Sequence, residues 1–273
     1  MRTMVITGGT DGIGRALADV HLRRGEAVLV VGQSAEKGER FLDVARDLGA
    51  GDRAHFVRAD LSLVSENIRL LEEIAGIFPA VDVLVLGARY HRSVRTETAE
   101  GLESNFALFY LSRFLLSHGL VPSLERAELP IVLNIAGPGG TGPIQWNDLQ
   151  LRRHYVGTGA LGHGGRLNDL LGAGFAEVHP DSPIRYILFH PGVVSTSFSG
   201  EYDRATAAAV AGLKVSGKTV AQSIGQLLPR LDRPPAERLS AFVEGRRIDV
   251  DTPLFDRGEA ARLHEITEKL LAT

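Results

Sequence analysis

Thr7-Gly8-Gly9-Thr10-Asp11-Gly12-Ile13-Gly14 is the stretch that decides the fold of this chain. It follows a short apolar run, Thr3–Thr7 (TMVIT), and opens a segment in which Ile13, Ala16, Leu17 and Val20 recur at helical spacing. Strand, glycine turn and helix in that order form a phosphate cradle. Gly8 allows the tight turn, Gly12 lets the backbone approach a pyrophosphate, and Gly14 lets helix and strand pack closely. The helix N-terminus adds free N–H groups and the positive end of its dipole. A turn with no ligand would use the same glycines, so the rest of the chain must choose.

Outward from the turn, short apolar runs alternate with helical periods. Ala27–Val31, Ala54–Val57, Val81–Leu86, Ile131–Ile135, Ile184–Phe189 and Ala241–Val243 read as strands. Glu36–Leu48, Leu63–Ile77, Thr98–His118 and Asp256–Leu271 read as helices, and Gly25 as a helix stop. Strands apolar throughout are buried on both faces, as in parallel sheets covered by helices. The expectation is one doubly wound α/β domain over residues 1–273, of Rossmann type, with helices on both faces and ligands beyond the carboxyl ends of the strands. Residues 157–174 hold seven glycines, each costing roughly 0.5–1 kcal/mol relative to alanine inside a helix. Residues 197–235 read as an excursion between two strands, either a substrate lid or a surface connection.

Composition narrows the function. The chain has 273 residues, with 30 basic against 33 acidic residues and a net charge of −3, and no basic run. That removes the electrostatic case for nucleic acid or an anionic membrane. No cysteine is present, so disulfides, zinc–thiolate sites, iron–sulfur clusters and thiol nucleophiles are excluded, and no metal site is expected. The N-terminus turns polar and Gly-rich after six residues, unlike a signal peptide, and no apolar run approaches the ~18 residues of a membrane span. A cytoplasmic protein acting on a small molecule is the expectation.

The turn TGGTDGIG resembles the TGxxxGIG turn of the short-chain dehydrogenases/reductases, and the likeness runs over nearly the whole chain. Asp60-Leu61 matches the acidic position after the third strand that contacts adenine in that family. His190-Pro191-Gly192-Val193-Val194-Ser195-Thr196 matches the motif whose backbone and Thr hydroxyl hold the nicotinamide carboxamide. Residues 242–263 resemble the end of retinol-dehydrogenase-like members. The resemblance implies dinucleotide contacts from Gly8, Thr10, Asp11, Gly12, Ile13 and Gly14 in the turn. It adds Gln33 and Ser34, Asp60 and Leu61, Gly87, and Pro191, Gly192, Val193 and Thr196. It also implies a homodimer or homotetramer.

NAD-specific members usually place an acid at the end of the second strand, and NADP-specific ones Arg or Lys. Here the sequence reads Val31-Gly32-Gln33-Ser34, with no acid and no guanidinium, while Arg15 and Lys37 are nearby cations. NADP(H) is the expected cofactor, and NAD(H) stays open.

At the catalytic positions the chain departs from its family. Aligned from the Pro191-Gly192 motif, the family's Tyr and Lys fall at Leu161 and Gly165. The Ser falls near Ala136 or Gly137, the Asn at Phe109, and the NNAG stretch becomes Leu86-Gly87-Ala88-Arg89. No Tyr-x-x-x-Lys occurs anywhere in the chain. YLSR (Tyr110–Arg113) and the stretch 148–155 resemble a divergent branch that likewise lacks the Tyr and Lys. Two substitutes are nominated. Tyr155 would act as acid with its pKa lowered by Arg153 and His154, and His163 as a neutral-pH acid–base. Arg166 and Trp146 are candidates for the ribose and the substrate, and Arg89–Arg92 for a substrate anion. Three functions remain open: an NADP(H)-dependent oxidoreductase on a carbonyl or hydroxyl of a small hydrophobic substrate; a lyase, isomerase or cyclase on the same scaffold; and an inactive dinucleotide-binding regulator.

Overall fold

The computed structural model describes residues 1–272. In chain order the elements are β1 (Thr3–Thr7), α1 (Gly12–Arg23), β2 (Ala27–Gly32), α2 (Ala35–Asp47), β3 (Ala54–Arg58), α3 (Val64–Ile77), β4 (Val83–Leu86) and β5 (His91–Arg92). Next come α4 (Ser104–Phe106), a π turn (Ala107–Leu111), α5 (Ser112–Gly119), α6 (Val121–Leu124), β6 (Ile131–Ile135), α7 (Gly157–Val178) and β7 (Arg185–His190). The chain closes with β8 (Gly200–Glu201), α8 (Arg204–Ser216), α9 (Val220–Asp232), β9 (Leu239–Val243), β10 (Arg246–Ile248) and α10 (Arg257–Leu271).

Eight strands form one sheet in the order β10-β9-β7-β6-β4-β1-β2-β3, parallel except for β10, which returns antiparallel on β9. The order reverses between β1 and β4, so a crevice opens where the glycine turn leaves β1. Alternate side chains along each strand feed two cores. Val5, Leu29 and Leu84 face the layer of α3, α5, α7 and α10, and Met4, Ile6 and Val28 face α1, α2 and α9. This is the doubly wound parallel architecture read from the sequence, and its first strand and β6 match the expected limits to the residue.

Three elements differ from expectation. The helix expected over Thr98–His118 begins at Ser104, because Glu103 caps it by accepting from Asn105 N (3.0 Å) and Phe106 N (2.6 Å). Residues 98–103 instead turn at Gly101, whose φ of +76° no helix contains. The stretch 197–235 divides in two. The α9 half buries Ser223, Ile224, Leu227 and Leu231 against the sheet, whereas α8 buries no residue at all. The third is a parallel pair outside the main sheet, β5 with β8, in which His91 and Arg92 face Gly200 and Glu201.

The glycine-rich α7 forms in spite of its composition because it buries fourteen residues. Some of its glycines sit where a side chain has no room: a Cβ on Gly157 would lie 2.6 Å from Ser93 O. Among the described residues no helix is long and apolar enough to cross a membrane.

Candidate functional site

The phosphate turn is built by close approach. Gly8 has φ +69°, and its amide and that of Gly9 donate to Val31 O, at 2.9 and 3.3 Å. A Cβ on Gly8 would lie 2.8 Å from Ala88 Cα, and one on Gly14 only 2.4 Å from Gly8 O. Side chains at either place would push the turn away from β4 or from the helix. Thr7 Oγ1 ties the two strand ends together, accepting from Gly87 N (3.0 Å) and Ala88 N (3.3 Å). Asp11 caps α1 by accepting from Gly12 N at 2.7 Å, and its other oxygen takes Lys37 Nζ at 2.5 Å. Burial works against the Asp11 charge, but Lys37, Ser197 and the Gly12 amide together hold its carboxyl below the usual range.

Two of the expected adenosine-side cations are engaged elsewhere. Arg15 pairs with Asp19 and lies over the Phe41 ring, and Lys37 is the partner of Asp11. The cation that does stand at the end of β2 is Arg58, which sequence reasoning missed. It lies opposite Gly32 in the parallel register, and its Nε donates to Gln33 O at 3.1 Å. A cavity of about 470 Å³ opens there, lined by Gln33, Arg58, Ala59, Asp60 and Glu66. Asp60 Oδ1 is held by Ser62, and Leu61 is buried. Ser34 caps α2.

The segment after β7 folds back over the turn. Gly192 has φ +80°, and Val193 O and Ser195 N bond to Lys218 ahead of α9. Thr196 reaches the turn, with its Cγ2 3.1 Å from where a Gly12 Cβ would stand. From there the chain passes Ser197 and enters β8 against β5. The glycine turn, the segment after β4 and the segment after β7 therefore enclose one cleft, which brings together Gly8–Gly14, Gly87 and Pro191–Thr196.

The positions that the resemblance assigns to the family's acid–base residues carry no titratable side chain here. Leu161 packs on the core. A Cβ on Gly165 would lie 3.2 Å from Gly137 O, so the two positions do face each other across the cleft floor. Phe109 is buried in the π turn, and its carbonyl accepts from Asn168 Nδ2 at 2.7 Å. Asn168 continues a buried polar chain. Its Oδ1 accepts from Asn134 Nδ2 (2.8 Å), Asn134 also donates to the Tyr186 hydroxyl (2.9 Å), and Arg113 Nη1 donates to Asn134 Oδ1 (2.6 Å).

Neither nominated substitute is placed as expected. The Tyr155 hydroxyl donates to Arg92 O (3.0 Å) and Glu103 (3.2 Å) and accepts from Asn105 Nδ2 (2.5 Å). Burial, aided by the Glu103 charge, raises its pKa rather than lowering it. It bolts the loop after β4 to α4. His163 Nε2 accepts from Gln145 N at 3.2 Å, and burial pushes its pKa down to about 4, so it carries no proton to give at neutral pH from that nitrogen. Arg166 does not reach the ribose side. It pairs with buried Asp169 (2.8 Å) and donates to Leu254 O (2.7 Å). Trp146 is half-buried under Arg262 of α10, 4.3 Å from its ring centroid.

Comparison with known proteins agrees with this fold. A family model described as short chain dehydrogenase matches residues 2–147. The chain is 31% identical over 269 residues to DnrU of Streptomyces sp. (strain C5), named as a candidate daunorubicin C-13 ketoreductase, covering 97% of this chain and 90% of that one. It is 30% identical over 196 residues to the NmrA-like family domain-containing oxidoreductase notO of Aspergillus sp. (strain MF297-2). That match covers 69% of this chain but only 59% of the fungal protein's length. Among solved structures, NADPH-bound carbonyl reductase from chicken fatty liver superposes with a TM-score of 0.67 at 18% identity, over 91% of this chain and 98% of that one. At that identity the likeness speaks for the fold.

Proposed function

The chain belongs to the short-chain dehydrogenase family, and from that premise we propose that it is an NADP(H)-dependent oxidoreductase. It acts on a carbonyl or hydroxyl group of a small hydrophobic substrate, through a site without the usual Ser-Tyr-Lys-Asn set. The observation that carries this reading is the turn itself, where Gly8 and Gly14 leave no room for side chains and the α1 amides open onto the cleft. A turn with no ligand has no need of the enclosing segment after β7.

The residues fit the cofactor. The turn amides would hold the pyrophosphate, the Gln33–Asp60 cavity the adenosine, Arg58 a 2′-phosphate, and Gly192–Thr196 the carboxamide. When bound, the dinucleotide supplies hydride chemistry, and the protein supplies position and exclusion of water. The ketoreductase name of the Streptomyces relative and the NADPH in the chicken reductase structure support the same direction. Loss of acid–base groups removes a factor of about 10²–10⁴, not the whole of catalysis, since orientation contributes separately. Residues 1–273 act as one dinucleotide-binding domain, with the exposed 197–216 half of the former lid closing over substrate.

One observation favours a second reading, a dinucleotide-binding regulator. Leu161, Gly165, Gly137 and Phe109 offer no titratable group at all. Thermal shift with NADPH, NADP⁺, NADH and NAD⁺ tests the shared part, because ligand at about 100 times its Kd adds about 2.7 kcal/mol of stability. The proposal expects a shift with the phosphorylated pair, and no shift with any of the four refutes both readings. NADPH consumption over a panel of ketones and aldehydes then separates them: turnover is expected, and binding without turnover favours the regulator.

A further inference from the structure

Arg89 follows β4 by three residues, in the segment that walls the cleft beside the glycine turn. Its backbone is fixed on both sides. Ala88 stands against Gly8, and Arg92 is clamped by Asn105, whose Oδ1 accepts from Arg92 N (3.0 Å) and whose Nδ2 donates to Arg92 O (2.8 Å). The side chain is exposed, yet it has no hydrogen bond or ion pair among the described residues. Surrounding protein still strips water from it and lowers its pKa.

The groups that share its field are Tyr202, His91, His190 and the buried Arg113. None of these is an anion at neutral pH. The acids of the rim are committed elsewhere. Glu201 takes Arg92 and the Tyr90 hydroxyl, Asp203 caps α8, Glu244 takes Lys218, and Glu103 caps α4. Arg113 in turn binds only neutral acceptors, Asn134 Oδ1, Ile135 O and Ala88 O. Two guanidinium groups thus stand at the carboxyl end of β4 with no carboxylate between them. A pair of cations with no carboxylate between them is a docking point for an anionic group.

The place is the reacting end of the cleft. His190 Cδ2 lies 4.0 Å from where a Gly137 Cβ would stand, and Gly137 O faces Gly165. A planar guanidinium fork fits a carboxylate through two parallel hydrogen bonds. We propose that Arg89 is a substrate-binding residue that receives a carboxylate, so that the substrates are oxo acids or hydroxy acids with an apolar body rather than neutral ketones or alcohols. This rests on the dinucleotide reading above and specifies its substrate class.

The test uses matched acids and esters on the full chain saturated with NADP⁺, so that no oxo compound turns over. Phenylglyoxylate, benzoylacetate and 3-benzoylpropionate place the carboxylate at three distances from the carbonyl, and each is titrated beside its methyl ester by calorimetry. At least one acid is expected to bind about tenfold or more tightly than its ester. Arg89→Gln should abolish that preference, Arg89→Lys should keep part of it, and NADPH affinity should stay within about twofold in both. Equal binding of acid and ester in every pair, or no binding of any acid, overturns the proposal. So does a preference that survives Arg89→Gln, or a loss of NADPH affinity in that variant, which would place Arg89 on the cofactor. If the wild-type protein binds no dinucleotide, the functional reading above has failed. The acid–ester comparison on the unliganded protein then still decides whether Arg89 is an anion site.

Discussion

Arg58 and Gln33 meet at the ends of β3 and β2, where the Arg58 Nε donates to the Gln33 carbonyl over 3.1 Å. One strand lends its neighbour a guanidinium that the neighbour's own sequence lacks. If that cation holds a 2′-phosphate, Arg58→Gln should weaken NADPH binding by roughly tenfold to a hundredfold, the range of about 1.5–3 kcal/mol for a charge-assisted hydrogen bond. NADH binding should barely change. Parallel titrations with both cofactors check this, and equal losses for both would assign Arg58 to the fold instead.

Tyr155 ties the loop after β4 to α4 through its hydroxyl, and that role predicts an effect on stability. Tyr155→Phe leaves Asn105 Nδ2 without its hydroxyl partner at a buried position. A loss of about 1–2 kcal/mol is expected in chemical denaturation, from the desolvated groups left unpaired. NADPH-dependent turnover and its pH profile should be unchanged apart from that loss. A large fall in turnover with stability intact would restore Tyr155 as the acid.

The three histidines His118, His179 and His264 predict acid sensitivity. They cluster with Phe114 and Phe175, with Glu125, Arg238 and Glu268 around them. Burial, then the charges of His179 and His264, push the His118 pKa down to about 3. Its folded value lies below its unfolded one, so the neutral ring stabilises the fold fully above the unfolded pKa near 6.5. That contribution is lost progressively as pH falls from about 6.5 toward about 3. Between about pH 7.5 and about pH 5.5 the loss from this one ring is about 1 kcal/mol. Denaturation curves at the two pH values should show it, and His118→Asn should flatten the difference. An identical slope in that variant would remove His118 as the cause.

Asn134 is the hub of the buried chain from α5 to α7. Asn134→Leu takes one acceptor from Arg113 Nη1, which keeps Ile135 O, and removes the amide that donates to the Tyr186 hydroxyl and to Asn168 Oδ1. A loss of about 2–3 kcal/mol is expected, since a buried cation loses one acceptor while a buried hydroxyl and amide oxygen lose their donor. Chemical denaturation measures it, and a loss under about 1 kcal/mol would mean that water enters and replaces the chain.

Much of this molecule is written locally. Thr3–Thr7 and Ile131–Ile135 are strands because a run of apolar residues buried on both faces has no other comfortable state, and Gly8 and Gly14 announce close approach by having no side chain. That Leu161 and Gly165 carry no titratable group is likewise plain from residue type alone. The failures share a different cause. Tyr155 was read beside Arg153 and His154, its neighbours in sequence, but its hydroxyl answers to Glu103, Asn105 and Arg92, which only the fold brings near. The helix read from Thr98 starts only at Ser104, because the Glu103 cap that starts it leaves no signal in the apolar pattern.

The sequence by itself determined the doubly wound sheet and the glycine turn, since each depends on residue type and short-range spacing. Only the tertiary structure decided which charges are spent and which are free. Arg15, Lys37 and Arg166 look as available in the sequence as Arg58 and Arg89. The first three form ion pairs with carboxylates and the last two form none among the described residues. Ion pairing falls off within a few ångströms, and which groups come that close is set by strand order and loop closure, not by position along the chain.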